Sequence, residues 1–173
     1  MADKISVLIK EEDIYKRLDE MAAQISEEYA GKTVHLVCIL KGSVFVTTEL
    51  AKRLTIPATF DFMSVSSYGD GTESTGRVKI VKDLDESIAG RDVIVIEDIV
   101  DTGRTLAYLM DLLAVRKPAS LKLCSLLDKP ERRVVEVNAD YVGFTIPDAF
   151  VVGFGLDYAQ RYRNLPYIGV VEQ

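Results

Sequence analysis

Residues 11–29 place Ile14, Leu18, Ala22, Ile25 and Tyr29 on one face at helical spacing, and Gly31 follows as a stop. The next run, VHLVCIL at 34–40, is apolar almost throughout, as suits a strand buried on both faces of a parallel sheet. The pattern then predicts a helix over 43–54, ending before Pro57, and a strand over 58–65. The stretch SSYGDGTESTG at 66–76 holds three glycines among small polar residues and reads as a long loop of the kind that carries function. Strands are expected at 77–81, 93–96 and 121–127, with a helix over 103–115 whose Leu106, Leu109, Met110 and Leu113 share a face. Short apolar runs at 141–146, 150–154 and 167–171, separated by Pro147, Asp157 and Pro166, read as extra strands folded onto the top of the sheet as a small cap. Alternation of helix and strand predicts an α/β fold, a mostly parallel central sheet flanked by helices.

Composition narrows the class. The 173 residues suit one domain, and 48% hydrophobic with 28% charged residues describes a globular chain. No apolar run approaches the roughly 18 residues of a membrane span. The opening MADKISVLIKEED lacks a basic stretch leading into a long apolar one, so no secretory leader is expected. The net charge of −6, from 21 Lys+Arg against 27 Asp+Glu, disfavours nucleic acid as the main partner. Cys38 and Cys124 sit apart inside apolar runs and are expected to be buried, reduced thiols of a cytoplasmic protein. One histidine, His35, inside VHLVCIL, is expected to pack in its strand, which disfavours both a Cys/His zinc site and a Ser-His-Asp triad.

The chemistry concentrates in VIVIEDIVDTGRTL, residues 93–106. An apolar strand runs into two adjacent carboxylates, Glu97 and Asp98; Asp101 follows, and Thr102, Gly103, Arg104 and Thr105 open a helix. In open α/β sheets, ligands bind beyond the carboxyl ends of the strands. A helix N-terminus offers unpaired N–H groups and partial positive charge to a phosphate, Gly103 would let the backbone approach the anion, and the threonine hydroxyls can donate. Ionised Glu97 and Asp98 only accept, which suits the vicinal hydroxyls of a sugar. Phosphate donors beside diol acceptors describe a site for ribose 5-phosphate. An Asp-Thr-Gly turn alone would be satisfied by helix capping; two further carboxylates at a strand end repel one another and call for a ligand or metal.

EDIVDTGRTL resembles the phosphoribosyl-diphosphate (PRPP) motif of the type I phosphoribosyltransferases, and in detail the hypoxanthine-guanine phosphoribosyltransferases. Further segments match in order along nearly the whole chain. Leu40-Lys41-Gly42-Ser43 resembles the family's diphosphate loop, in which a cis peptide joins the first two residues. Ser67-Tyr68 resembles the tip of the family's flap, while Gly71 to Gly76 lacks the Lys and Ser/Thr of a nucleotide P-loop. Lys129 in LLDKPERR resembles the lysine that meets the purine 6-oxo group. PDAFVVGFGLDYAQRYR, residues 147–163, resembles the C-terminal cap, with Phe150 stacking on the purine, the Val151 backbone at its edge, Asp157 on Mg²⁺ and Arg163 on the diphosphate. The resemblance also implies Mg²⁺ near Glu97 and Asp98, one domain with a core over about 30–128, a hood from the N-terminal segment and about 129–173, and a homo-oligomer, dimer or tetramer.

The implied reaction transfers a 5-phosphoribosyl group from PRPP to N9 of a 6-oxopurine, with Asp101 as general base beside purine N7. Two alternatives use the same scaffold: a PRPP-sensing RNA-binding attenuator, disfavoured by Asp101 and the acidic chain, and a xanthine-preferring transferase. Lys129, which donates and cannot accept, disfavours adenine. A Rossmann module fails because Lys41-Gly42-Ser43 is no G-x-G-x-x-G.

Overall fold

Four apolar runs form the centre of one sheet. A computed structural model describes residues 3–67 and 78–172. In chain order the elements are β1 (Lys4–Ile9), α1 (Glu11–Glu28), β2 (Val34–Ile39), α2 (Val44–Arg53), β3 (Ala58–Ser67), β4 (Val78–Lys82), β5 (Asp92–Val100), α3 (Arg104–Ala114), β6 (Ser120–Asp128), β7 (Tyr141–Thr145), β8 (Val151–Val152) and β9 (Ile168–Glu172). Six strands in the order β4-β3-β2-β5-β6-β7 make the main sheet, and β1-β9-β8 make a second, smaller one. All pairs of the main sheet are parallel except β3 with β4.

The continuous apolarity of β2 and β5 follows from burial on two faces. Leu36, Ile94 and Ile96 pack with Ile14, Leu18, Ile25, Val46 and Leu50 of α1 and α2. Their neighbours Val37, Ile39, Val93 and Val95 point the other way, against Leu106, Leu109 and Leu113 of α3. His35 is buried in β2 as expected, with Nδ1 2.7 Å from Thr59 Oγ1, and burial pushes its pKa down. Cys38 and Cys124 are free and buried, and burial raises the Cys124 thiol to about 12.

Three elements depart from expectation. Lys4–Ile9, which the alternation of helix and strand left unassigned, pairs antiparallel with β9 in the small sheet. Tyr141–Thr145, expected in the cap, is instead the edge strand of the main sheet, parallel to β6. Its outer edge is tied down by Arg17, which donates to Gly143 O at 3.0 Å and Val142 O at 2.7 Å. The third departure shapes the site. β5 continues past Ile96 to Val100, because its ladder to β6 runs on through Ile99–Leu127 and Val100–Asp128. Its ladder to β2 stops at Ile96–Cys38. From Glu97 onward β5 therefore has a partner on one side, and β2 turns away at Leu40. The chain crosses from one half of the sheet to the other between β2 and β5, so this opening lies at the topological switch point.

Candidate active site

The loops beyond β2 and β5 meet at close range. The Leu40–Lys41 peptide is cis, as the resemblance implied. Gly42 lies so near Asp98 that a β-carbon there would run into the carboxylate, and a β-carbon on Gly155 would run into Gly42 O. Gly42→Ala is accordingly expected to displace Asp98 and cost about 1–3 kcal/mol, or about 2–12 °C in melting temperature for a chain of this size. Calorimetry checks this, and an unchanged midpoint would mean that Asp98 yields without resistance.

A cleft of about 400 Å³ opens beside this contact. Four carboxylates line it, Asp98, Asp101, Asp148 and Asp157, with the cations Lys129 and Arg132 and the apolar Ile99, Phe150, Val151 and Leu156. Thus Asp98, Asp101, Lys129, Phe150, Val151 and Asp157, named from three separated stretches of sequence, share one cavity. Phe150 is 49% exposed, so its ring is available to a ligand rather than spent in the core; its neighbour is Tyr158, edge-on at 5.5 Å. Lys129 is 8% exposed, with Nζ 3.9 Å from Asp148 Oδ1. Asp101 Oδ1 accepts from Arg132 Nε at 3.2 Å.

The diphosphate candidates stand at the adjoining rim. Lys41 Nζ reaches Gln160 Oε1 at 3.2 Å. Arg163 donates to Gly155 O at 2.7 Å and pairs with Asp157 Oδ1 at 3.0 Å, while Asp157 Oδ2 accepts the Gln160 N–H at 2.8 Å. Ser67 ends β3, and Tyr68 lies outside the described residues. The 102–105 turn does not line the cleft itself. Its first helical bond is Ala107 N–H to Gly103 O, so the amides ahead of it project off the end of α3. Thr102 Oγ1 accepts the Arg104 N–H at 3.5 Å, and Thr105 follows in the first turn.

Gly103 sits at φ +84°, and the side a β-carbon would take is filled by Val135 O and Arg133 Cδ. Its glycine is required by backbone angle and by packing of the 133–137 segment.

Matches to known proteins agree with this geometry. The model of the phosphoribosyl transferase domain family matches residues 8–159. The hypoxanthine-guanine phosphoribosyltransferase of Streptococcus thermophilus is 54% identical over 167 residues, 96% of this chain and 93% of that protein. A crystal structure of a hypoxanthine phosphoribosyltransferase from Staphylococcus aureus superposes with a TM-score of 0.94 at 52% identity, covering 96% of this chain and 91% of that one. The chain belongs to the hypoxanthine-guanine phosphoribosyltransferase family. It also spans 26% of the length of a bifunctional TilS/HprT protein of Listeria monocytogenes, at 55% identity over 96% of this chain.

For a phosphoribosyltransferase, the carboxyl pair where β5 loses its β2 partner is costly to hold charged. Burial pushes Glu97 well above the ordinary carboxylate range, and the Asp98 charge beside it pushes the same way. Burial raises Asp98 as well, against the Ile99 N–H and the Arg163 guanidinium. A carboxyl whose pKa is higher folded than unfolded binds more protons in the native state, so stability falls as pH rises through that interval. Glu97→Gln, uncharged at every pH, is expected to flatten this fall and, without substrate, raise stability at neutral pH by about 0.5–2 kcal/mol. A pH series of melting curves tests it; an unaltered slope would remove Glu97 as the cause.

Arg132, Asp148 and Gln160 were not anticipated. All three lie in stretches already singled out, but a charged or amide residue in a loop reads as solvated. Among the described residues, no group of three or more His, Cys, Asp or Glu could hold a metal on its own. No helix there is long and apolar enough to cross a membrane.

Proposed function

We propose that the chain transfers the 5-phosphoribosyl group of PRPP to N9 of hypoxanthine or guanine, giving IMP or GMP and diphosphate. One observation carries the reading: Asp101, Lys129 and Phe150 meet in a single cleft with Asp98 and Asp157. A proton acceptor, a donor for a carbonyl and an open aromatic face describe a site for an oxopurine. The carboxylates beside them accept from ribose hydroxyls.

In this reading the purine lies against Phe150, with its edge at the Val151 backbone. Lys129 donates to the 6-oxo oxygen, and Asp101 takes or steadies the ring proton near N7 as N9 attacks. The amides at the start of α3, with Thr102, Gly103, Arg104 and Thr105, hold the 5-phosphate. Glu97 and Asp98 grip the diol, fixing the sugar for displacement. Lys41, Gly42, Ser67, Tyr68 and Arg163 face the leaving diphosphate. The oxygen donors of Glu97, Asp98 and Asp157 fit Mg²⁺, which is commonly held by one or two carboxylates plus substrate phosphates. Bound there, Mg²⁺ would supply charge neutralisation of the leaving group.

We read the chain as one domain with a hood that includes β1, β8 and β9, working in the cytoplasm, as the two reduced thiols favour. A homo-oligomer, dimer or tetramer, is the expected assembly, and exposed Phe60 and Val81 on the outer strand pair favour it. The deciding assay supplies PRPP, Mg²⁺ and, in turn, hypoxanthine, guanine, xanthine and adenine. Nucleotide from hypoxanthine or guanine is expected. Product from xanthine alone would reassign the base, and no product from any would overturn the proposal.

A further inference from the structure

The stretch after Lys129 packs back against the Asp101 turn. Pro130–Arg132 forms a single 3-10 turn, after which the Val134 and Val135 N–H groups donate to Thr102 O at 2.9 and 3.1 Å. Arg133 stands at the centre of this contact, its side chain 17% exposed. Its guanidinium makes three separate bonds. One edge pairs with Asp128 at the end of β6. Nε donates to Asp101 O at 3.1 Å, and Nη1 donates to Val137 O at 2.6 Å. The aliphatic stem closes the space left by Gly103, with Cδ 3.0 Å from where a β-carbon would sit.

These bonds join the turn after β5 to the end of β6. Asp128 ends a strand held on both sides, by Val100 of β5 and Thr145 of β7. The Asp101 carbonyl belongs to a turn between strand and helix. A planar fork with fixed N–H directions can hold both at once, which a lysine's single ammonium cannot.

We propose that Arg133 is a positioning residue for Asp101: it pins the Asp101 backbone to the end of β6 and so sets where the carboxylate meets the purine. The inference rests on the reading of Asp101 as the group that handles the ring proton. A displacement of about 1 Å at a reacting centre can cost about 10²-fold in rate. Since Arg133 does not line the cleft, substrate binding should be nearly indifferent to it.

Arg133→Lys keeps a cation for Asp128 and is the variant to measure, alone and combined with Asp101→Asn. In the otherwise native chain it is expected to lower kcat by about 10- to 100-fold, with KM for PRPP and hypoxanthine changed by less than about threefold. In the Asp101→Asn background the same substitution should cost less than about twofold, because the group it positions is gone. Full kcat in Arg133→Lys would overturn the inference. So would equal losses in the two backgrounds, the mark of general damage to the fold. If Arg133→Lys loses its cooperative melt, Arg133→Gln enters the same cycle with the same outcomes. Near-normal turnover by Asp101→Asn alone would defeat the reading of Asp101, and this inference with it, and is seen before the cycle is closed.

Discussion

Asp101→Asn is expected to lower kcat by about 10²–10⁴-fold, the range typical of a lost general acid–base group, while PRPP still binds. The expectation follows from where the side chain stands. Asp101 lines the cleft together with Lys129 and Phe150, and its carboxylate is partly exposed there, with Arg132 Nε at 3.2 Å. Asparagine keeps the size of the side chain and an oxygen that Arg132 can still reach. The bonds to the turn's carbonyls, from the Val134 and Val135 N–H groups to Thr102 O and from Arg133 Nε to Asp101 O, do not involve the Asp101 side chain. The fold and the 5-phosphate end of the site should therefore survive, and what disappears is the charge and the basic lone pair. Calorimetric titration with PRPP and single-turnover rates with hypoxanthine separate the two. Near-normal turnover would take the proton step away from Asp101; loss of PRPP binding would show that its side chain holds the sugar-phosphate instead.

The fold was legible where apolar spacing reports burial directly. The helix expected over 11–29 is Glu11–Glu28, and VHLVCIL is a strand with all six residues of Val34–Ile39 buried. β5 was read too short because apolarity and hydrogen bonding end at different places. Residues stop being apolar where β2 ceases to cover the strand, at Ile96, but the ladder to β6 needs a partner on one side only and runs on to Val100. The same mismatch puts Glu97 and Asp98 at the opening. β1 escaped because its exposure along the strand is irregular, with Ile9 its one buried residue, so no alternation marks it. β7 was placed in the cap because an apolar run does not state which sheet it joins. Arg17 reaches it from 125 and 126 residues away in the chain, a distance that local pattern does not report.

The site shows a similar division. Carboxylates clustered where an apolar strand gives out are visible in sequence, since their repulsion calls for a ligand or metal. Cations that act from loops carry no such mark of their own, and Lys41, Lys129 and Arg163 were named only through the family resemblance. Arg132 and Arg133 sit side by side in PERR, which reads as a solvated turn, yet one faces the Asp101 carboxylate and the other its carbonyl. Gly103 adds a contact of the same kind: a glycine at a helix start marks a close approach, and on the side a β-carbon would take the chain at Val135 comes close, which no local pattern reports.

Lys129→Gln is expected to lower kcat/KM for hypoxanthine by about 10²-fold and to admit adenine at a measurable rate. Lys129 is 8% exposed, and its Nζ sees Asp148 across 3.9 Å, beyond ordinary hydrogen-bond reach. The ammonium thus has donor capacity for a carbonyl placed in the cleft. A hydrogen bond from a charged donor is worth about 1.5–3 kcal/mol, which is roughly 10- to 150-fold in rate. Discrimination is the sharper consequence. Against adenine the ammonium meets an amino group that offers it no acceptor, so a buried charge is left without its bond, and sites built this way reject the wrong ligand strongly. Glutamine removes that penalty, because its amide can turn to present either the donor or the acceptor. The ratio of kcat/KM for hypoxanthine to that for adenine should consequently fall further than the hypoxanthine value alone. Lys129→Met separates the two causes: with neither donor nor acceptor, it should lose hypoxanthine activity without gaining adenine. A ratio that stays unchanged in the glutamine variant would mean that position 6 of the base is read by some other group in the cleft.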